Sequence, residues 1–176
     1  MDKIVQEFIS EVTRKFKFLE NDYGFKKTEG KINNQNYYPD AEAVVRYVGK
    51  YIGIEVYWYF AGANIGVAFI ELKDGEIPAE RVFWGEPKDC SRAISLYALA
   101  GFLKQREDNL FLLKDIDNVT NSKIKKREKV INGNMTGVIE GLSSAVKKLA
   151  PIIITGDISI FTDVMYYQSE LIKKQY

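Results

Sequence analysis

The chain has 176 residues, of which 46% are hydrophobic and 28% charged, with 25 basic side chains against 24 acidic ones and a formal net charge of +1. This balance suits one globular domain over residues 1–176 that buries a core without covalent staples, and it argues against a globally basic nucleic-acid binder. There is no histidine and one cysteine, Cys90, which excludes Ser-His-Asp and Cys-His catalysis, histidine or clustered-cysteine zinc sites and any intrachain disulfide.

The segment Met1–Glu7 mixes acids with its apolar residues and lacks the basic and apolar regions of a secretory signal. No stretch approaches the roughly 20 apolar residues that span a bilayer. A cytoplasmic protein without membrane association is therefore expected, and the single thiol fits a reducing compartment.

In chain order, Asp2 is placed to cap a helix in which Ile4, Val5, Phe8, Ile9, Val12, Phe16 and Leu19 recur at three- and four-residue spacing. Arg14, Lys15 and Lys17 suit the negative pole of its dipole, and Gly24 is a plausible stop. A short strand near Phe25 to Thr28 and a polar loop ending at Pro39-Asp40 follow.

Turn signals at Gly49 and Ala61-Gly62-Ala63 divide the next block into three strands, Ala43 to Val48, Tyr51 to Phe60 and Asn64 to Leu72. Connections this short make the meander antiparallel. In the middle strand Ile52, Ile54, Val56, Trp58 and Phe60 share one side and Tyr51, Gly53, Glu55, Tyr57 and Tyr59 the other. The first side is core; the phenolic side either lies under a helix or forms a contact surface for a partner. Asp74-Gly75 marks a further turn, and Ile77 to Gly85 could add an edge strand limited by Pro78 and Pro87.

The period then becomes helical. Asp89 or Ser91 is placed to cap a helix carrying Ala93, Ile94, Leu96, Tyr97, Leu99, Ala100 and Leu103, with a shorter segment from Leu110 to Ile116. Another helix fits Met135, Val138, Ile139, Leu142, Ala145, Val146 and Leu149 and exits at Pro151; the last fits Ile160, Phe161, Val164, Met165, Leu171 and Ile172 after Thr155-Gly156-Asp157. The fold class is α+β: an N-terminal helix, an antiparallel sheet of about four to five strands and a C-terminal group of helices.

Catalytic and binding motifs are sparse. Asp115-Ile116-Asp117-Asn118 opens like a calcium loop, but Val119 and Thr120 stand where a ligand and glycine belong and Lys126 replaces the closing glutamate. Neither a P-loop nor a dinucleotide glycine fingerprint occurs, so no cofactor is expected. Glu55, Glu71, Asp74 and Asp157 are the carboxylates available to a histidine-free enzyme, although solvated surface roles are the commoner use of such residues. Lys123-Ile124-Lys125-Lys126-Arg127-Glu128-Lys129 holds five bases and one acid but no stacking aromatic, which favours a solvated face over a nucleic-acid site. Gly133, Gly137, Gly141 and Ala145 recur every four residues, suggesting tight packing within the fold or a late helix start.

Two stretches, Phe18-Leu19-Glu20-Asn21-Asp22-Tyr23-Gly24-Phe25 and Ile154-Thr155-Gly156-Asp157-Ile158-Ser159-Ile160-Phe161, together with the strand block, resemble a group of small uncharacterised bacterial α+β proteins, some of which look like immunity proteins of polymorphic-toxin systems. The resemblance implies a non-enzymatic protein-binding module that neutralises a toxin-like partner. Tyr51, Glu55, Tyr57 and Tyr59 are the partner-binding candidates, because aromatic residues are enriched at interfaces. A carboxylate-dependent enzyme and a nucleic-acid accessory protein using residues 123–129 are the alternatives.

Overall fold

Alternation in the strand block builds the sheet that organises the rest of the chain. The computed structural model describes residues 3–31, 41–59, 64–78, 81–83, 90–104 and 121–173. In this span α1 (Lys3–Lys15) and α2 (Phe18–Tyr23) precede six strands, β1 (Lys26–Lys31), β2 (Ala41–Val48), β3 (Ile52–Tyr59), β4 (Asn64–Glu71), β5 (Arg81–Val82) and β6 (Ser91–Ser95). Then come α3 (Leu96–Phe102), α4 (Asn121–Leu149), α5 (Pro151–Ile154) and α6 (Ile160–Lys173). The strand order is β1-β2-β3-β4-β6-β5. All pairings are antiparallel except β5 with β6, so the α+β class holds and the sheet is mixed.

The meander has the expected register, Glu55 lying opposite Arg46 on β2 and Ala68 on β4. Asp74 and Gly75 both take positive φ, 54° and 79°, and Lys73 and Glu76 exchange two backbone hydrogen bonds of 3.0 Å across them. This is the geometry of a two-residue primed turn, which glycine and aspartate tolerate best.

All the larger helices gather on one face of the sheet. There α1 packs on β2, α3 and α4 on β4, and α6 on β6. One buried cluster runs from Val5 through Phe8, Trp58, Phe69 and Ile139 to Met165. Phe8 meets Trp58 at 5.8 Å between ring centroids. Polar ties fix α1 to its neighbours: the buried Tyr47 hydroxyl donates to the Val12 carbonyl at 3.3 Å, and Ser143 Oγ donates to the Lys15 carbonyl at 2.8 Å.

Several helix boundaries differ from expectation. Arg14 and Lys15 close α1, and the chain restarts as α2 before Gly24, whose φ of 69° lets its N–H reach the Leu19 carbonyl. Residues 91–95 are a strand rather than a helix start, because β4 supplies a ladder to Ala93, Ile94 and Ser95. Ser95 then caps α3, its hydroxyl accepting from Ala98 N at 3.1 Å. The edge strand anticipated over 77–85 is reduced, among the described residues, to Arg81–Val82.

The basic run is the first part of α4, not a linker between helices. At Asn134 the helix breaks, with φ −156° and ψ 50°, and Asn134 Oδ1 accepts from Gly137 N at 3.1 Å to cap the second half. Around Gly133 there is open space, and Gly137 abuts the Asn134 amide. At these two positions the spacing reflects a helix restart rather than packing against another element. The second half buries Met135, Val138, Ile139, Leu142, Ala145, Val146 and Leu149 as expected. Pro151 begins the short α5, a position that needs no N–H donor. The cap at Asp2, the loop through Asp40, the turn at 61–63, Pro87, Asp89, the segment 110–116 and the calcium-like stretch lie outside the described residues.

Candidate functional site

The face of the sheet turned away from the larger helices carries small side chains: Gly53 on β3, Gly66 and Ala68 on β4, and Ala93 on β6. Over these lie larger groups. A Cβ at Gly66 would collide with the Tyr57 ring, and one at Gly53 would collide with Ile77. Ala68, Ile70 and Ala93 form a second apolar cluster against which Tyr57, Ile77 and Phe83 pack. The cover over this face is therefore the segment after β4, not a helix.

At the centre of this face Glu55 is fully buried, with 0% exposure. Arg46 Nε donates to Oε1 at 2.7 Å, and Arg81 Nη2 donates to Oε2 at 2.5 Å. The Arg81 side chain is only 2% exposed, and its Nη1 donates to the Pro78 carbonyl at 3.3 Å. Both carboxylate oxygens thus face a guanidinium, the pairing that a desolvated charge requires. Arg46 comes from the register neighbour on β2, so alternation alone brings it there. Arg81 arrives from 26 residues downstream, and no local pattern announces it.

Burial pushes the Tyr57 hydroxyl up to about 12, with the Glu55 charge as the second cause. The phenol is consequently neutral at physiological pH and unsuited to act as a base there.

The four partner-binding candidates do not form one surface. Glu55 is enclosed, and Tyr57 is partly buried over Gly66. The strand position of Tyr59 is described, but its side chain lies outside the described residues. Tyr51 falls just before β3, in the bend at Lys50-Tyr51, and remains 49% exposed. Its ring lies against Gly156 between α5 and α6, where a Cβ would collide with it. The Lys50 ammonium sits 4.8 Å from the centroid of the same ring. Its pKa is raised, first by the hydrogen bond with Tyr51.

The other carboxylates occupy separate settings. Glu71 takes a bidentate pair from Arg92, with Nε at 2.9 Å and Nη2 at 3.0 Å, and Arg92 Nη1 also donates to Thr162 Oγ1 at 3.0 Å. Glu71 is paired in register with Ile52, which puts it on the opposite face of the sheet from Glu55. Asp74 belongs to the primed turn, and Asp157 Oδ1 accepts from Ser159 N at 3.0 Å. Among the described residues, no group of three carboxylates or thiols gathers as a metal cage. On the basic part of α4, Lys125, Lys126 and Lys129 are exposed.

The fold and this site define an α+β protein with a helix-backed mixed sheet and a buried carboxylate–diarginine cluster on its other face. Comparison with family models, curated proteins and solved structures found no match. Among the described residues, no helix is long and apolar enough to cross a membrane.

Proposed function

We propose that this chain is a non-enzymatic protein-binding module whose role is neutralisation of a toxin-like protein, with the bend at Lys50-Tyr51 as its point of contact. The observation that supports this reading is the state of Tyr51. Half of the residue is exposed, yet its ring is held against Gly156 and beneath the Lys50 ammonium. A ring already restrained in the unbound protein loses little freedom on association, and buried tyrosines are frequent energetic anchors of interfaces. Lys50 adds a cation at the rim, which suits an acidic patch on the partner.

The test is co-expression with toxin domains encoded beside the gene, reading host survival and co-purification. A cognate pair should protect the host, and Tyr51→Ala should weaken the complex at least tenfold while the chain stays folded. Failure to bind or protect against any such domain would remove the toxin reading, and an undiminished complex with Tyr51→Ala would remove the contact surface.

A further inference from the structure

The covered face of the sheet has a conformational consequence that does not depend on the partner reading. The described pieces 76–78 and 81–83 lie across it, joined to the sheet at three kinds of place. Ile77 enters the space left by Gly53. Phe83 and Ile77 pack on the small cluster of Ala68, Ile70 and Ala93. Arg81 reaches the buried carboxylate of Glu55.

Each attachment is modest beside what holds the opposite face. The β5–β6 ladder consists of two residue pairs, Arg81 with Ser91 and Val82 with Arg92. By contrast, β3 and β4 are matched along eight residue pairs, and the helices bury the main cluster against their other side. Lifting the 76–83 segment would break none of the β3–β4 ladder. The Glu55–Arg81 pair also contributes less net stability than its geometry suggests, because removing both charges from water offsets much of their attraction. Segments with little apolar burial and few ladder bonds open at lower free energy than the core beneath them.

We infer that residues 76–83 act as a strap, latched by Arg81 on Glu55, which opens as a unit while the helix-backed sheet stays folded and thereby controls access to Glu55 and Tyr57. The guanidinium supplies the latch, and the fit of Ile77 against Gly53 sets its seat.

Hydrogen–deuterium exchange read by mass spectrometry on the whole chain tests this. In the native protein the peptide covering 76–83 should exchange through an opening that leaves 52–59 and 138–149 protected. Glu55→Gln should speed exchange of the strap peptide at least tenfold by loosening the latch. Gly53→Val should do the same by displacing Ile77 without altering any charge, which guards against misfolding caused by the buried arginines. In both variants, protection of 52–59 should remain within about twofold of the native value. Equal exchange of 76–83 and 52–59 in the native protein would overturn the proposal, as would a strap peptide that neither substitution accelerates.

Discussion

Tyr57 lies over its register partner Gly66, so that a single added methyl on β4 would occupy the position of the phenol ring. Gly66→Ala should therefore destabilise the fold by about 1–3 kcal/mol, the usual scale for overpacking a filled site. In a urea titration its cost should shrink in a Tyr57→Ala background, because the two residues share one contact. Equal costs in both backgrounds would show that the ring is not what glycine accommodates.

The same phenol links stability to alkaline pH. Its folded pKa, pushed up to about 12 by burial and by Glu55, exceeds the ordinary value of 10.0. A raised folded value means that the contribution is full below pH 10 and declines as pH rises toward 12. Urea midpoints measured from pH 9 to 12 should fall more steeply for the native chain than for Tyr57→Phe. An ultraviolet titration should lose one late-ionising tyrosine in the variant.

At acidic pH the sign reverses for Glu71. The Arg92 hydrogen bonds hold its carboxyl below the ordinary 4.5, so the pair stabilises the fold above about pH 4.5 and that contribution is lost as pH falls below it. Glu71 and Arg92 are both partly exposed, so solvent screening keeps the effect small. Glu71→Gln should flatten the acid limb of a stability profile between pH 5 and 3 without changing the alkaline limb.

Removing the Glu55 charge should be more severe. Glu55→Gln leaves the 2%-exposed Arg81 side chain facing a neutral amide, and breaking a buried pair from one side typically costs about 3–5 kcal/mol. Replacing both members, as Glu55→Met with Arg81→Met, should recover a large part of that loss in chemical denaturation. If the double variant is no better than the single one, packing rather than charge dominates the site.

Tyr51 and Gly156 separate two effects in one position. Gly156 has φ 106° and a Cβ there would meet the Tyr51 ring. Gly156→Ala should lower the thermal midpoint through both backbone strain and collision. In a Tyr51→Ala background only the collision should disappear, leaving a residual loss from the backbone.

Much of the architecture was legible because its signals are local. Alternation from Ala43 to Leu72 placed three strands and their facing, and three- and four-residue spacing placed the core positions of α1, of the second half of α4 and of α6. Residues 91–95 were misread for a physical reason: Ala93, Ile94 and Leu96 satisfy a helical period, but the open edge of β4 offers their backbone a ladder first. Ser95, directly before Leu96-Tyr97, was the signal that would have moved the helix start. The Asn134 break was likewise hidden, because its capping bond to Gly137 looks like ordinary helix spacing in the linear chain.

By itself the sequence determined the class of fold, the sidedness of β3 and the removal of histidine and disulfide chemistry, since composition and side-chain period act over a few residues. Only the tertiary structure decided that the phenolic side divides, with Tyr51 exposed at a bend, Tyr57 laid on glycine and Glu55 sealed between Arg46 and Arg81. Those outcomes depend on contacts between distant parts of the chain, where a guanidinium 26 residues away supplies the countercharge that burial demands.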